Sequence, residues 1–89
     1  MSSPKLILPQ VSLNGTNKQE LVSQQLAVVG AIRVLLEAMG EAAPHGSDYQ
    51  RDPSQLEPAK TAWTDRRMLV YALRKEIEQH AEAIDALPG

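Results

Sequence analysis

From Ala59 to Leu87 the chain carries neither proline nor glycine. Through that stretch residues return at alternating steps of three and four: Leu56, Ala59, Trp63, Arg66, Val70, Leu73, Ile77, His80, Ile84 and Leu87. A mostly apolar seam of this period, held for more than four heptads, requires one long helix packed lengthwise against another. The spacing predicts a second helix of about 30 residues, roughly 45 to 50 Å long at 1.5 Å per residue. It should run over about 55–87. Ser54 opens it with Glu57 in the spacing of a capping box, and Pro58 is tolerated because first-turn amides have no partner inside the helix.

An earlier seam fits the same period: Lys18, Leu21, Gln25, Val28, Ile32, Leu35 and Met39. It predicts a first helix over about 17–43, opened at Thr16 by a capping box with Gln19 and stopped by Pro44. Gly30 falls inside it and costs about 1 kcal/mol relative to alanine, so it either permits a close helix crossing or has no packing role. Between the helices, 44–54 is dense in turn formers, including Pro44, Gly46, Asp48, Asp52 and Pro53. A short connection sends the second helix back along the first, giving an all-α antiparallel helical hairpin over 16–89. With Met39 set against Ala59, the register pairs Ile32 with Arg66, Val28 with Val70 and Gln25 with Leu73. Residues 1–15, with two prolines, read as an extended N-terminal arm whose Leu6, Leu8, Val11 and Leu13 lie on a helical surface.

Length and composition narrow the rest. A chain of 89 residues is at most one domain, and 43% hydrophobic but only 3% aromatic residues mean an aliphatic core. Zero cysteines exclude a disulfide scaffold, cysteine-ligated metal and thiol chemistry. A net charge of −2 argues against nucleic acid and anionic membrane as partners. The longest unbroken apolar run, Leu26 to Ile32, falls short of the roughly 20 residues of a membrane span, so a soluble, cytoplasmic protein is expected. Beside the first seam lies a second apolar row, Val22, Val29 and Leu36, with Leu26 next to it. One partner helix cannot cover so broad a face. The expected answer is a homo-oligomer, most simply a dimer forming a four-helix bundle, with Val22, Leu26, Val29 and Leu36 at its interface. The alternative is a monomer in which the arm covers that face.

Polar residues in and beside the seam carry the candidate chemistry. Gln25, Arg66 and His80 interrupt the seams and set register, or else Gln25 and Arg66 line a pocket between the helices. Lys60, Arg67 and Arg74 recur every seven residues, and the register sets Arg33 opposite Asp65. Arg33, Arg66, Arg67, Tyr71 and Arg74 can therefore gather as an anion or nucleotide site, since guanidinium groups bind phosphate through paired hydrogen bonds. The competing reading is a solvated face whose arginines pair with acids. The two histidines and scattered carboxylates show no metal-ligand spacing, and Glu76 with His80 reads as a surface pair. The chain has no glycine-rich phosphate loop and no nucleophile elbow, so neither catalysis nor a cofactor is expected.

Leu13-Asn14-Gly15-Thr16 before a helix and Pro44-His45-Gly46-Ser47-Asp48-Tyr49 between two helices resemble a group of short phage and prophage proteins of unassigned function. Those carry an LNGT helix start and an interhelical loop of proline, asparagine or histidine, glycine, arginine, aspartate and tyrosine. The chain departs from that loop at Ser47, where the arginine is missing, and Arg51 is the nearest substitute. The excess apolar helix face and the lack of a catalytic set lead to the expectation of a small non-enzymatic phage-type accessory protein that binds a host component, a protein first of all, through a helical surface, in the host cytoplasm if phage-encoded. Two alternatives stand beside it: an oligomer that sequesters a phosphorylated nucleotide, and a virion or DNA-associated structural protein.

Overall fold

The computed structural model describes residues 7–8 and 17–88. Two long helices, α1 (Lys18–Glu41) and α2 (Leu56–Asp85), run antiparallel as a hairpin, and two short 3₁₀ turns, Gly46–Tyr49 and Pro53–Gln55, connect them. The molecule measures 63 × 25 × 15 Å, a rod one helix thick in its shortest direction.

The local signals that start these elements differ from the expected ones. Asn17 caps α1: its Oδ1 accepts from the Glu20 amide at 2.8 Å, and its carbonyl accepts from the Leu21 amide at 3.2 Å. An asparagine amide oxygen is among the strongest N-cap acceptors and ranks above threonine. Thr16, expected to hold that position, lies outside the described residues, as do Leu6, Val11, Leu13 and the rest of the LNGT segment. At α2 the Ser54 and Glu57 capping box does not form. Ser54 Oγ instead donates to Asp52 Oδ1, and Glu57 lies 3.6 Å from Lys60 Nζ. The chain enters α2 through the 3₁₀ turn beginning at Pro53, so Gln55 precedes the helix without a side-chain cap.

Each helix end is tied to the other helix by a side chain. The Trp63 indole Nε1 donates to the Met39 carbonyl at 2.8 Å. That carbonyl has no amide from the next turn, because Ala43 donates to Gly40 instead, at 3.4 Å. At the far end Lys18 Nζ donates to the carbonyls of Asp85 at 3.1 Å and Leu87 at 2.9 Å. Neither helix has a basic residue in its own last turn, so Lys18 supplies the positive charge that the C-terminus of α2 favours.

These two ties set a register one turn away from the expected one. Met39 meets Trp63, which follows Ala59 by about one helical turn. Leu36 borders Arg67, and Val22 borders Ala81. The seam also takes a different second row. Trp63, Val70, Ile77 and Ile84 face α1 as expected, but Arg67, Arg74 and Ala81 are more enclosed than Arg66 and Leu73, and Ala81 more than His80. On α1, Val29 and Leu36 face inward where Val28 and Leu35 were expected. Arginine can fill a seam position because its aliphatic stem packs while its charged end reaches the rim.

The buried hydrophobic core among the described residues is Ile32, Leu36, Ala81 and Ile84. Ala81 is small enough to let α1 approach α2 there, and Ile84 retains 1% exposure. Of the arm, Ile7 and Leu8 are described; the Ile7 carbonyl lies 3.2 Å from His80 Nε2, while the Ile7 side chain itself stays open. By length and composition α1 is also able to cross a membrane: its most apolar window has a mean hydropathy of 1.4, with 11% of it buried. Counting only unbroken apolar runs misses this, because Gln25 and Arg33 bound the run at Leu26–Ile32 while the residues beyond them, Val34 to Leu36 above all, are again apolar.

Candidate anion site between the helices

Successive residues on a helix turn by about 100°, so each helix of a hairpin has two flanks beside its seam. On one flank, Arg33 of α1 and Arg67, Tyr71 and Arg74 of α2 line a single cleft of about 200 Å³ together with Leu36 and Glu37. Four of the five expected anion-site residues are thus brought together. The fifth, Arg66, is not: it lies on the other side of the seam, exposed, with its guanidinium 5.9 Å from the centre of the Trp63 ring. The expected pairing of Arg33 with Asp65 is absent, since the one-turn register change places Arg33 beside Tyr71 and Arg74.

Arg74 is the most constrained of the set. Its guanidinium lies 5.4 Å from the Tyr71 ring centre, within cation–π range, and its Nε is 3.5 Å from Glu78 Oε1. That separation allows charge attraction, but the pair lacks hydrogen-bond geometry, and the Nε of Arg74 remains enclosed without a hydrogen-bond partner. Arg67 Nε is enclosed and unpartnered in the same way. An enclosed donor without an acceptor carries a desolvation penalty of about 1 to 3 kcal/mol. Because each Nε is closed to solvent, a ligand in the cleft would meet the outer guanidinium nitrogens of these arginines.

The cleft opens past Gly30 into a groove of about 400 Å³ bounded by Leu26, Val29, Arg33, Arg74 and Glu78. It continues into one of about 430 Å³ lined by Val22, Leu26, Val29 and Ala81, with Glu82 and Asp85 at its edge. A β-carbon added at Gly30 would meet nothing within 4 Å, so this glycine does not serve a close helix crossing. The residues expected at an oligomer interface fall along this groove and inside the hairpin. Leu36 is buried, Val22 and Val29 are half-buried, and Leu26 alone is exposed, at 52%.

Other expected features resolve differently. The Asp48 carboxylate accepts from the His45 amide at 3.0 Å, and the Asp48 amide donates to the His45 carbonyl at 3.0 Å, so the conspicuous loop aspartate closes a turn. His80 faces Ile7, not Glu76. Gln25 stays half-buried in the seam. Among the described residues no group of three or more histidine or carboxylate side chains is placed to hold a metal ion. Sequence reasoning missed the Lys18 and Trp63 ties, whose acceptors are backbone carbonyls and become identifiable only once the register is known.

No protein-family model, curated protein or solved structure matches this chain, so its functional reading rests on the residues themselves.

Proposed function

We propose that this chain is a non-enzymatic module that works by protein–protein contact, and that a second copy of itself is the first partner it takes. The supporting observation is the flank opposite the arginine cleft. There Val28 and Leu35 of α1 stand 43% and 47% exposed, and Leu69 and Leu73 of α2 stand 66% and 48% exposed. Among the described residues no second layer covers that row, which the arm touches only at His80, through the Ile7 carbonyl. Apolar surface removed from water contributes about 25 cal/mol per Å². Two copies packed flank to flank about a two-fold axis form a four-helix bundle in which these four side chains become core.

The non-enzymatic part of the reading rests on the missing motifs and the absence of cysteine. A host protein, met in the cytoplasm, is the further partner class that the same excess of apolar helix face suits. Insertion of α1 into a bilayer is the less favoured reading. It would carry Arg33 into hydrocarbon at a cost of about 2.5 to 3.5 kcal/mol near the helix centre, and it would break the ties at Lys18 and Trp63.

The experiment is sedimentation equilibrium on the wild type and on the double variant Leu35→Glu, Leu69→Glu. The wild type is expected at a mass above the 9.7 kDa of one chain, and the variant at that mass. A wild type that stays at the single-chain mass up to about millimolar concentration, the weak end of protein association, rules the reading out.

A further inference from the structure

We propose that the arginine cleft binds the phosphate of a nucleoside monophosphate, and that the groove beyond Gly30 takes the nucleoside. This proposal concerns the flank opposite the proposed self-association surface and does not rest on it. Three guanidinium groups, from Arg33, Arg67 and Arg74, border one small cleft from both helices. A phosphate presents several acceptor oxygens at once and suits planar guanidinium donors better than a single carboxylate does. Tyr71 holds Arg74 from one side, so the guanidinium is oriented before a ligand arrives.

The rest of the flank matches the rest of the ligand. Past Gly30 the α1 wall turns apolar, with Val22, Leu26 and Val29, while α2 contributes Ala81 and an acidic edge of Glu78, Glu82 and Asp85. From Arg74 to Glu82 is about 12 Å along α2 at 1.5 Å per residue. A basic end, an apolar wall and an acidic edge that extends to Glu82 and Asp85 complement a phosphate, a sugar with its ring, and an exocyclic amine that donates to a carboxylate. Glu37 and Glu78 border the basic end, and both oppose an anion.

The test titrates adenosine 5′-monophosphate, inorganic phosphate and adenosine separately into the full chain, following amide NMR shifts and melting temperature. The monophosphate is expected to bind most tightly, phosphate more weakly and at the basic end only, and adenosine not measurably. Arg74→Gln is expected to weaken monophosphate binding about tenfold or more, equivalent to about 1.4 kcal/mol. Arg66→Gln, outside the cleft, is expected to leave it unchanged, and Glu37→Gln to tighten it. Gly30→Leu, which has open space at its β-carbon, is expected to reduce the monophosphate to the affinity of phosphate. Circular dichroism checks that each variant is helical. Three results each overturn the proposal: no response of the folded wild type to about 10 mM monophosphate, where binding is weaker than about 3 kcal/mol; equal losses from Arg66→Gln and Arg74→Gln; or adenosine binding as well as its monophosphate.

Discussion

At the residue scale, Gly30 takes the second of its two expected readings: a β-carbon added there would meet nothing within 4 Å. A glycine inside a helix adds backbone freedom to the unfolded chain, and here no neighbour requires its small size. Gly30→Ala is therefore expected to raise unfolding free energy by about 0.5 to 1 kcal/mol, read by urea denaturation. A loss of stability instead would mean that α2 lies closer to this point than described. Trp63 is the converse case, a single side chain with a specific polar duty. Trp63→Phe keeps most of the ring and removes only the donor to Met39, so a cost of about 1 kcal/mol is expected from the same measurement. The sequence identified Trp63 and Lys18 as seam positions but not as ties to helix-end carbonyls. Backbone acceptors have no signature in a sequence, and which carbonyl a long side chain reaches depends on how far the helices slide. The arginines were legible as a cluster because their seven-residue recurrence fixes a face. Arg66 was included as a polar position of the expected seam, but the seam runs through Arg67 instead, and one residue of difference turns a side chain by about 100°.

At the scale of elements, two long helices follow directly from periodicity and from where proline and glycine fall. Their rotation about their own axes does not. The row of Trp63, Val70, Ile77 and Ile84 leaves two choices for the intervening positions: Arg66, Leu73 and His80, or Arg67, Arg74 and Ala81. Hydrophobicity favours the first, since it puts Leu73 inside. The hairpin adopts the second, in which arginine stems fill the seam, Ala81 permits close approach at the Lys18 end, and Leu73 is left at the flank. Introducing a charge discriminates between the two rotations. Ala81→Glu is expected to cost about 3 kcal/mol or more, because the new carboxylate would be buried without a partner. Val34→Glu, on the outward face of α1 at 61% exposure, is expected to stay within about 0.5 kcal/mol. Comparable losses at both positions, followed by thermal melting, would contradict the described rotation.

At the scale of the whole molecule, apolar surface and buried core are out of balance. The rod is 15 Å across its thinnest direction, and Ile32, Leu36, Ala81 and Ile84 are its buried hydrophobic residues among those described. Composition already pointed this way: an aliphatic chain with two adjacent apolar rows on one helix has more to cover than a single partner helix can. What composition could not assign was which row turns inward. Val22, Val29 and Leu36 were the expected outer face, yet they meet α2, and Val28 and Leu35 are left outside with Leu69 and Leu73. If a second copy covers that row, folding and association are one equilibrium, and stability must depend on how much protein is present. The most direct measurement is the thermal midpoint of the full chain by circular dichroism over about a hundredfold range of concentration, for the wild type and the Leu35→Glu, Leu69→Glu variant. The wild-type midpoint is expected to climb with concentration and that of the variant to stay low and constant. A wild-type midpoint that does not move across the range would contradict the account.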